Sequence, residues 1–210
     1  MRMTATFPKN RDPISYAVFE WPDGSAATTP MWGIKGALPH DLGHYVGEAV
    51  FRPPYGFWNL TAQQAPFDSL TLVRGRWPGD RKAWLDRVRR KHGVEMLKSE
   101  MLDLSGLADP RTDLDRTWAG LARGLRKGLS FTPSSPFDNA TKADFLECRE
   151  RAIALNEAWR RVPVGGALVV FWPPDTPPRV LQTFDSGSIP EPAPRRRPKK
   201  HAVRRQFPRR

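Results

Sequence analysis

Hydrophobic and polar positions change period several times along the chain, and those changes mark out its elements. Residues Met3–Phe7 and Ile14–Trp21 read as strands: in the second, Tyr16 and Val18 share one face while Ala17, Phe19 and Trp21 share the other. Pro22-Asp23-Gly24-Ser25 follows, and its Asp-Gly pair supplies the positive φ that a tight hairpin needs. Ala26–Trp32 is then the returning strand, so the chain opens as an antiparallel meander. The pattern turns helical near Leu38, with Pro39 in the first turn, where a missing N–H costs nothing. It stops after Phe51, before Pro53-Pro54. Tyr55-Gly56-Phe57-Trp58 reads as an aromatic loop or a short helix entry, and Ser69–Val73 as a short strand.

Helical spacing returns from Asp80, with Trp84, Leu85 and Val88 on one face and Arg and Lys on the other. Gly93 breaks or kinks this helix, and Val94–Leu104 continues it. Asp113–Leu129 sets Leu114, Trp118, Leu121 and Leu125 at core spacing, with Thr112 as its N-cap. Thr141–Arg161 is the most regular helix: Phe145, Cys148, Ala152, Leu155 and Trp159 recur at steps of three and four. Thr141 and Asp144 form a capping box with Asp in the place usually held by Glu. Gly165-Gly166 ends this helix, Ala167–Trp172 is an apolar run that reads as a buried strand, and Arg179–Phe184 is a final strand. Strands at both ends with helices between predict an α+β fold, a largely antiparallel sheet packed against three to four helices. One domain over residues 1–185 is expected, followed at 186–210 by a disordered Pro/Arg-rich basic tail. The composition of that tail buries too little apolar surface to offset the entropy of ordering it.

Charge sharpens this division. The 210 residues carry a formal net charge of +12, but nine basic and no acidic residues lie between Arg195 and Arg210, leaving +3 on the other 194 positions. The tail is therefore the part expected to meet a polyanion or nucleic acid, through residues 195–210, by counterion release. The single cysteine, Cys148, excludes an intrachain disulfide and a cysteine zinc cluster; on the core stripe of its helix it reads as an inert thiol. Residues Met1–Asn10 lack the apolar run of a signal peptide, and no segment approaches the ~18 apolar residues of a membrane span. A soluble, cytoplasmic protein is expected.

Chemistry concentrates in the helix after Pro39: His40-Asp41-Leu42-Gly43-His44-Tyr45-Val46-Gly47-Glu48. At 100° per residue, with His40 at zero, His44 falls near ~40°, Glu48 near ~80° and Asp41 near ~100°. Leu42, Tyr45, Val46 and Ala49 occupy the opposite side, between ~140° and ~240°. The ionisable groups thus share one stripe facing away from the core, flanked by Gly43 and Gly47, where the helix is open to a close partner. Histidines at i and i+4 offer two imidazoles to one divalent ion, across a rise of ~6 Å. His40 and Glu48 are ~12 Å apart along the axis, so one ion takes either His40 with His44 or His44 with Glu48, plus a remote donor. Glu20, Asp138 and Glu147 are the candidates for that donor.

The string resembles the His-Glu-x-x-His motif of zinc proteases, with Asp41 where that family has its general base. It also resembles the His-Asp doublet of HD-domain phosphohydrolases, though no histidine lies upstream, and the His-Asp-x-x-His motif of a ubiquinone-biosynthesis family. The further acid of that last family would fall at Pro53-Pro54-Tyr55-Gly56. Each likeness covers a fraction of one helix and none assigns a family. The expectation taken forward is a divalent-metal-binding protein (Zn, Mn or Fe) with His40, His44 and Glu48 as ligands. As a metal-dependent hydrolase it would use metal-activated water, with Asp41 or Glu48 as base. The alternative is a non-enzymatic polyanion-associated or protein-interaction module acting through the basic tail. His92 is expected to partner a helix C-terminus.

Overall fold

The structure, a computed structural model, describes residues 2–10, 16–31, 38–126, 137 and 139–185. Six strands, β1 Met3–Pro8, β2 Tyr16–Glu20, β3 Ala26–Pro30, β4 Thr71–Arg74, β5 Ala167–Trp172 and β6 Arg179–Leu181, form one antiparallel sheet in the order β4-β3-β2-β1-β5-β6. Helices are α1 His40–Phe51, α2 Phe57–Ala62, α3 Arg81–Glu100, α4 Leu114–Arg126 and α5 Lys142–Arg161, with a 3₁₀ turn at Ser105–Ala108. This is the expected α+β class, with five α-helices among the described residues rather than three to four, because the aromatic segment after Pro54 closes into a short helix of its own. The expected tail at 186–210 lies outside the described residues.

Cross-strand register puts one residue in two on the helix side. Ala5 pairs with Phe19 and with Val170, Phe7 with Leu168, and Met3 with Trp172. All seven are buried in one core cluster with Leu42, Tyr45, Val46 and Ala49 of α1, Trp58 of α2, and Phe145, Cys148 and Leu155 of α5. Trp58 stands at its centre, with ring centroids 4.9 Å from Tyr45, 5.6 Å from Phe19 and 5.7 Å from Trp172. Aromatic contacts of this kind add to the area each ring buries. A smaller cluster, Leu60, Ala65, Leu85 and Val88, ties α3 to α2.

Local signals act where expected in most places. The Asp23-Gly24 turn closes with Gly24 at φ +82° and the Asp23 carboxylate accepting the Ser25 N–H. The capping box at Thr141 and Asp144 is complete in both directions. Gly93 does not divide α3; the break falls one residue earlier, at His92, with φ −126° and ψ 20°. Asp113 rather than Thr112 caps α4, accepting the Arg116 N–H, while the Thr112 hydroxyl donates back to the Gly106 carbonyl. No described helix is long and apolar enough to cross a membrane.

Candidate functional site

Helix α1 is wedged between layers. Leu42, Tyr45, Val46 and Ala49 face the sheet side, as the helical wheel requires. The opposite stripe is covered as well. Leu102 packs on Gly47, where an added Cβ would lie 2.7 Å from the Leu102 carbonyl oxygen. Asp103 and Ser105 pack on Gly43, where a Cβ would lie 2.1 Å from Asp103 Oδ1 and 2.6 Å from the Ser105 nitrogen. The two glycines therefore admit a close partner, and it comes from the turn that follows α3. As a result His44 is only 4% exposed and Glu48 fully buried, where the sequence pointed to an open stripe.

Glu48 is turned away from the histidines' ligand edges toward α2. Its Oε2 accepts the Trp58 N–H at 3.0 Å, and Gly56 leaves room for the carboxyl: a Cβ there would lie 2.2 Å from Oε2. The first amides of a helix lack intrahelical partners and carry partial positive charge, so an acidic side chain satisfies both needs. Burial nevertheless dominates, pushing the Glu48 carboxyl up to about 8, against the opposing pull of the Trp58, Phe57 and Asn59 amides. Its Oε1 is buried with no hydrogen-bond partner among the described residues.

His40 and His44 converge. Their Nε2 atoms are 3.3 Å apart and their ring centroids 4.5 Å, at an interplanar angle of 72°. His40 Nδ1 lies 3.2 Å from Asp41 Oδ1, and His40 Nε2 lies 3.7 Å from Asp103 Oδ2. Asp103 is itself held in place, with Oδ1 accepting the Ser105 N–H at 3.2 Å. The hydrogen bond to Asp41, aided by the charges of Asp103 and Glu100, raises the His40 pKa against the effect of burial. Burial, followed by the positive charge on His40, lowers that of His44. The two shifts run in opposite directions, so positive charge is favoured on His40 over His44. His44 Nδ1 is buried with no hydrogen-bond partner among the described residues.

Two imidazoles and a carboxylate are ordinary ligands of divalent transition metals. Bonds of about 2.0–2.1 Å in a tetrahedral site put neighbouring donor atoms ~3.3–3.4 Å apart, which the two Nε2 atoms already match. Asp103 is a few tenths of an ångström long from His40 and forms no ion pair with His44. Accordingly, no three His, Cys, Asp or Glu side chains among the described residues are already closed around one point. The arrangement is a preset two-nitrogen edge with a carboxylate beside it.

Of the residues singled out from the sequence, His40, His44 and Asp41 come together and Glu48 serves another element. Glu20 is paired with Arg74 and Glu147 with Arg151, and Asp138 lies outside the described residues. Asp103 is the carboxylate beside the pair that sequence reading missed; the glycines at 43 and 47 announced a close partner without naming it. His92 does not bond a helix C-terminus: its ring stacks on Tyr55, with centroids 3.6 Å apart at 17°. Cys148 is buried and its thiol is pushed up to about 12, chiefly by desolvation.

The site and fold together describe an α+β protein with a histidine pair set at the junction of α1 and the turn after α3. Compared with known proteins, the chain matches no family model, no curated protein and no solved structure.

Proposed function

We propose that the protein binds one divalent transition-metal ion between His40 Nε2 and His44 Nε2, with Asp103 as the carboxylate ligand. The reaction class that fits is hydrolysis by metal-activated water. The observation that carries this reading is the 3.3 Å Nε2–Nε2 separation, the donor spacing of a tetrahedral metal site. Asp41 supports it from behind, since a carboxylate on the second ring nitrogen orients a ligating histidine and raises its basicity. Partial exposure of the His40 side chain leaves a coordination position facing solvent, as a site that activates water requires. Nitrogen and carboxylate donors suit zinc, manganese or iron. Glu48, ligated instead by the amides of α2, has a structural role here.

Metal analysis of purified protein, followed by titration of the stripped protein with Zn²⁺ and Mn²⁺, tests this. Near-stoichiometric binding is expected, abolished by His44→Ala and weakened by Asp103→Asn, with both variants still folded by circular dichroism. Metal-free protein that fails to bind either ion at micromolar concentration sinks the proposal. The alternative expected from the sequence, polyanion association through residues 195–210, rests on sequence alone, since that segment lies outside the described residues.

A further inference from the structure

Positive charge is segregated within the folded part of the chain. From Arg74 to Lys91 there are eight basic residues and two acidic ones, a net of +6 in 18 positions. The stretch outside both this segment and residues 195–210 is net negative. Asp86 is engaged by Lys82 and more loosely by Arg89. Arg76, Arg87, Arg90 and Lys91 are exposed and form no ion pair among the described residues. Arg87, Arg90 and Lys91 stand at i, i+3 and i+4 on α3, the spacing at which like charges repel across one helix face. Proximity to the helix break at His92 favours the last two through the dipole, but that does nothing for Arg76 or Arg87.

Beyond the break the exposed side chains of α3 change character: Val94 is 44% exposed and Leu97 68%, three apart on the same helical segment. Met101, though 39% exposed, fills the space that a Cβ on Gly124 of α4 would take. Of the acids in this half, Glu95 is partly buried beside Tyr55 and Lys98, and Glu100 acts on His40 and His44.

We infer that the exposed residues of α3 on the two sides of its break, Arg87, Arg90 and Lys91 with Val94 and Leu97, form a docking surface for an anionic phospholipid bilayer. A bilayer interface takes both groups. Its phosphate and carboxylate headgroups attract the arginines and lysine, while the acyl boundary accepts Leu97 and Val94. A phosphodiester backbone would use only the cations. Base stacking is also disfavoured, because the aromatic rings nearby have occupied faces: Arg81 lies 5.0 Å over Trp84, and His92 covers Tyr55.

The full-length chain carrying Leu97→Cys tests this, labelled at that position with a polarity-sensitive fluorophore; Cys148 is buried and does not compete for the label. Emission should shift to the blue on adding phosphatidylserine–phosphatidylcholine vesicles, and not with phosphatidylcholine alone. Arg87→Ala with Arg90→Ala should lower vesicle partitioning roughly twenty-fivefold, at about fivefold per cation near an anionic surface. The melting temperature should be unchanged, since both side chains are exposed. Sedimentation with vesicles but no blue shift would assign binding to the basic tail and overturn the inference. So would a label already blue-shifted without vesicles, partitioning indifferent to the two arginines, or arginine-dependent binding to duplex DNA with none to vesicles.

Discussion

Glu48 gives the sharpest test of the reasoning, because a single buried carboxyl should set the pH dependence of stability. Replace it with glutamine, which keeps an oxygen to accept the Trp58 N–H but cannot ionise. In the unfolded chain the glutamate titrates near its ordinary value of 4.5, whereas in the folded protein it holds its proton up to about 8. Between those values the folded state binds one more proton than the unfolded state, so stability falls as pH rises. This is the reverse of a carboxylate whose pKa is depressed. The slope approaches 1.4 kcal/mol per pH unit at most, about 5 kcal/mol across the whole interval. Against a total stability on the order of 5–15 kcal/mol, that is a large share. Urea denaturation of both proteins at intervals from pH 5 to pH 8.5 measures it. The stability difference between wild type and Glu48→Gln should shift in favour of the glutamine by several kcal/mol over this range. Titrations of His40 and His44 appear in both curves and largely cancel in the difference. Parallel curves would mean that Glu48 is ionised in the folded state at neutral pH. The carboxyl would then be better solvated, or better paired, than its enclosure by Gly56 and the amides of α2 implies.

Other consequences follow from the same packing. Gly43→Ala should cost roughly 1–3 kcal/mol, measured by thermal or urea melts, because the Ser105 backbone has to retreat from a Cβ only 2.6 Å away. The same variant should weaken metal binding by displacing Asp103, whereas an alanine at the exposed Gly106, which meets nothing within 4 Å, should leave metal binding unaffected. Trp58→Ala should destabilise by about 3–5 kcal/mol, since this ring joins α1, α2 and the sheet, and its indole N–H donates to the Asp41 carbonyl at 3.2 Å. Cys148 should be silent to a thiol reagent at neutral pH in the native protein and react fully in denaturant; rapid native labelling would contradict its burial.

Strand alternation and helical period carried most of the fold. Ala17, Phe19 and Trp21, read as sharing one face of their strand, are buried together, and Leu168 and Val170 are buried within the apolar run that read as a buried strand. The short α2 was only half legible, Tyr55–Trp58 reading as a loop or a helix entry, because six residues are too few to show a helical period and its N-terminus is completed by Glu48, ten residues away. Asp103 escaped for a different reason: nothing in the spacing of one helix names a carboxylate delivered by a turn after another helix. Orientation of α1 about its axis was legible, since the apolar side is set by Leu42, Tyr45, Val46 and Ala49. Coverage of the other side was hinted at by Gly43 and Gly47, but which segment supplies it was not legible, because glycines mark room for a neighbour without specifying its chemistry.

That coverage divides the polar stripe of α1 into two environments one turn apart. At Glu48 the approach of α2 is so close that water is excluded and a carboxyl is kept mostly neutral, fixing the helix–helix angle through a backbone hydrogen bond. At His40 the covering turn brings a carboxylate instead of a helix start, and the side chain stays partly exposed. A positive charge on His40 is stabilised at the second position by Asp41, Asp103 and Glu100. At the first position it would meet the amide N–H groups of α2, which point their positive ends at the same space. The polar stripe of the helix therefore favours positive charge at one place, His40. The repeated glycines at 43 and 47 are what let the turn after α3 come near enough to supply the charge.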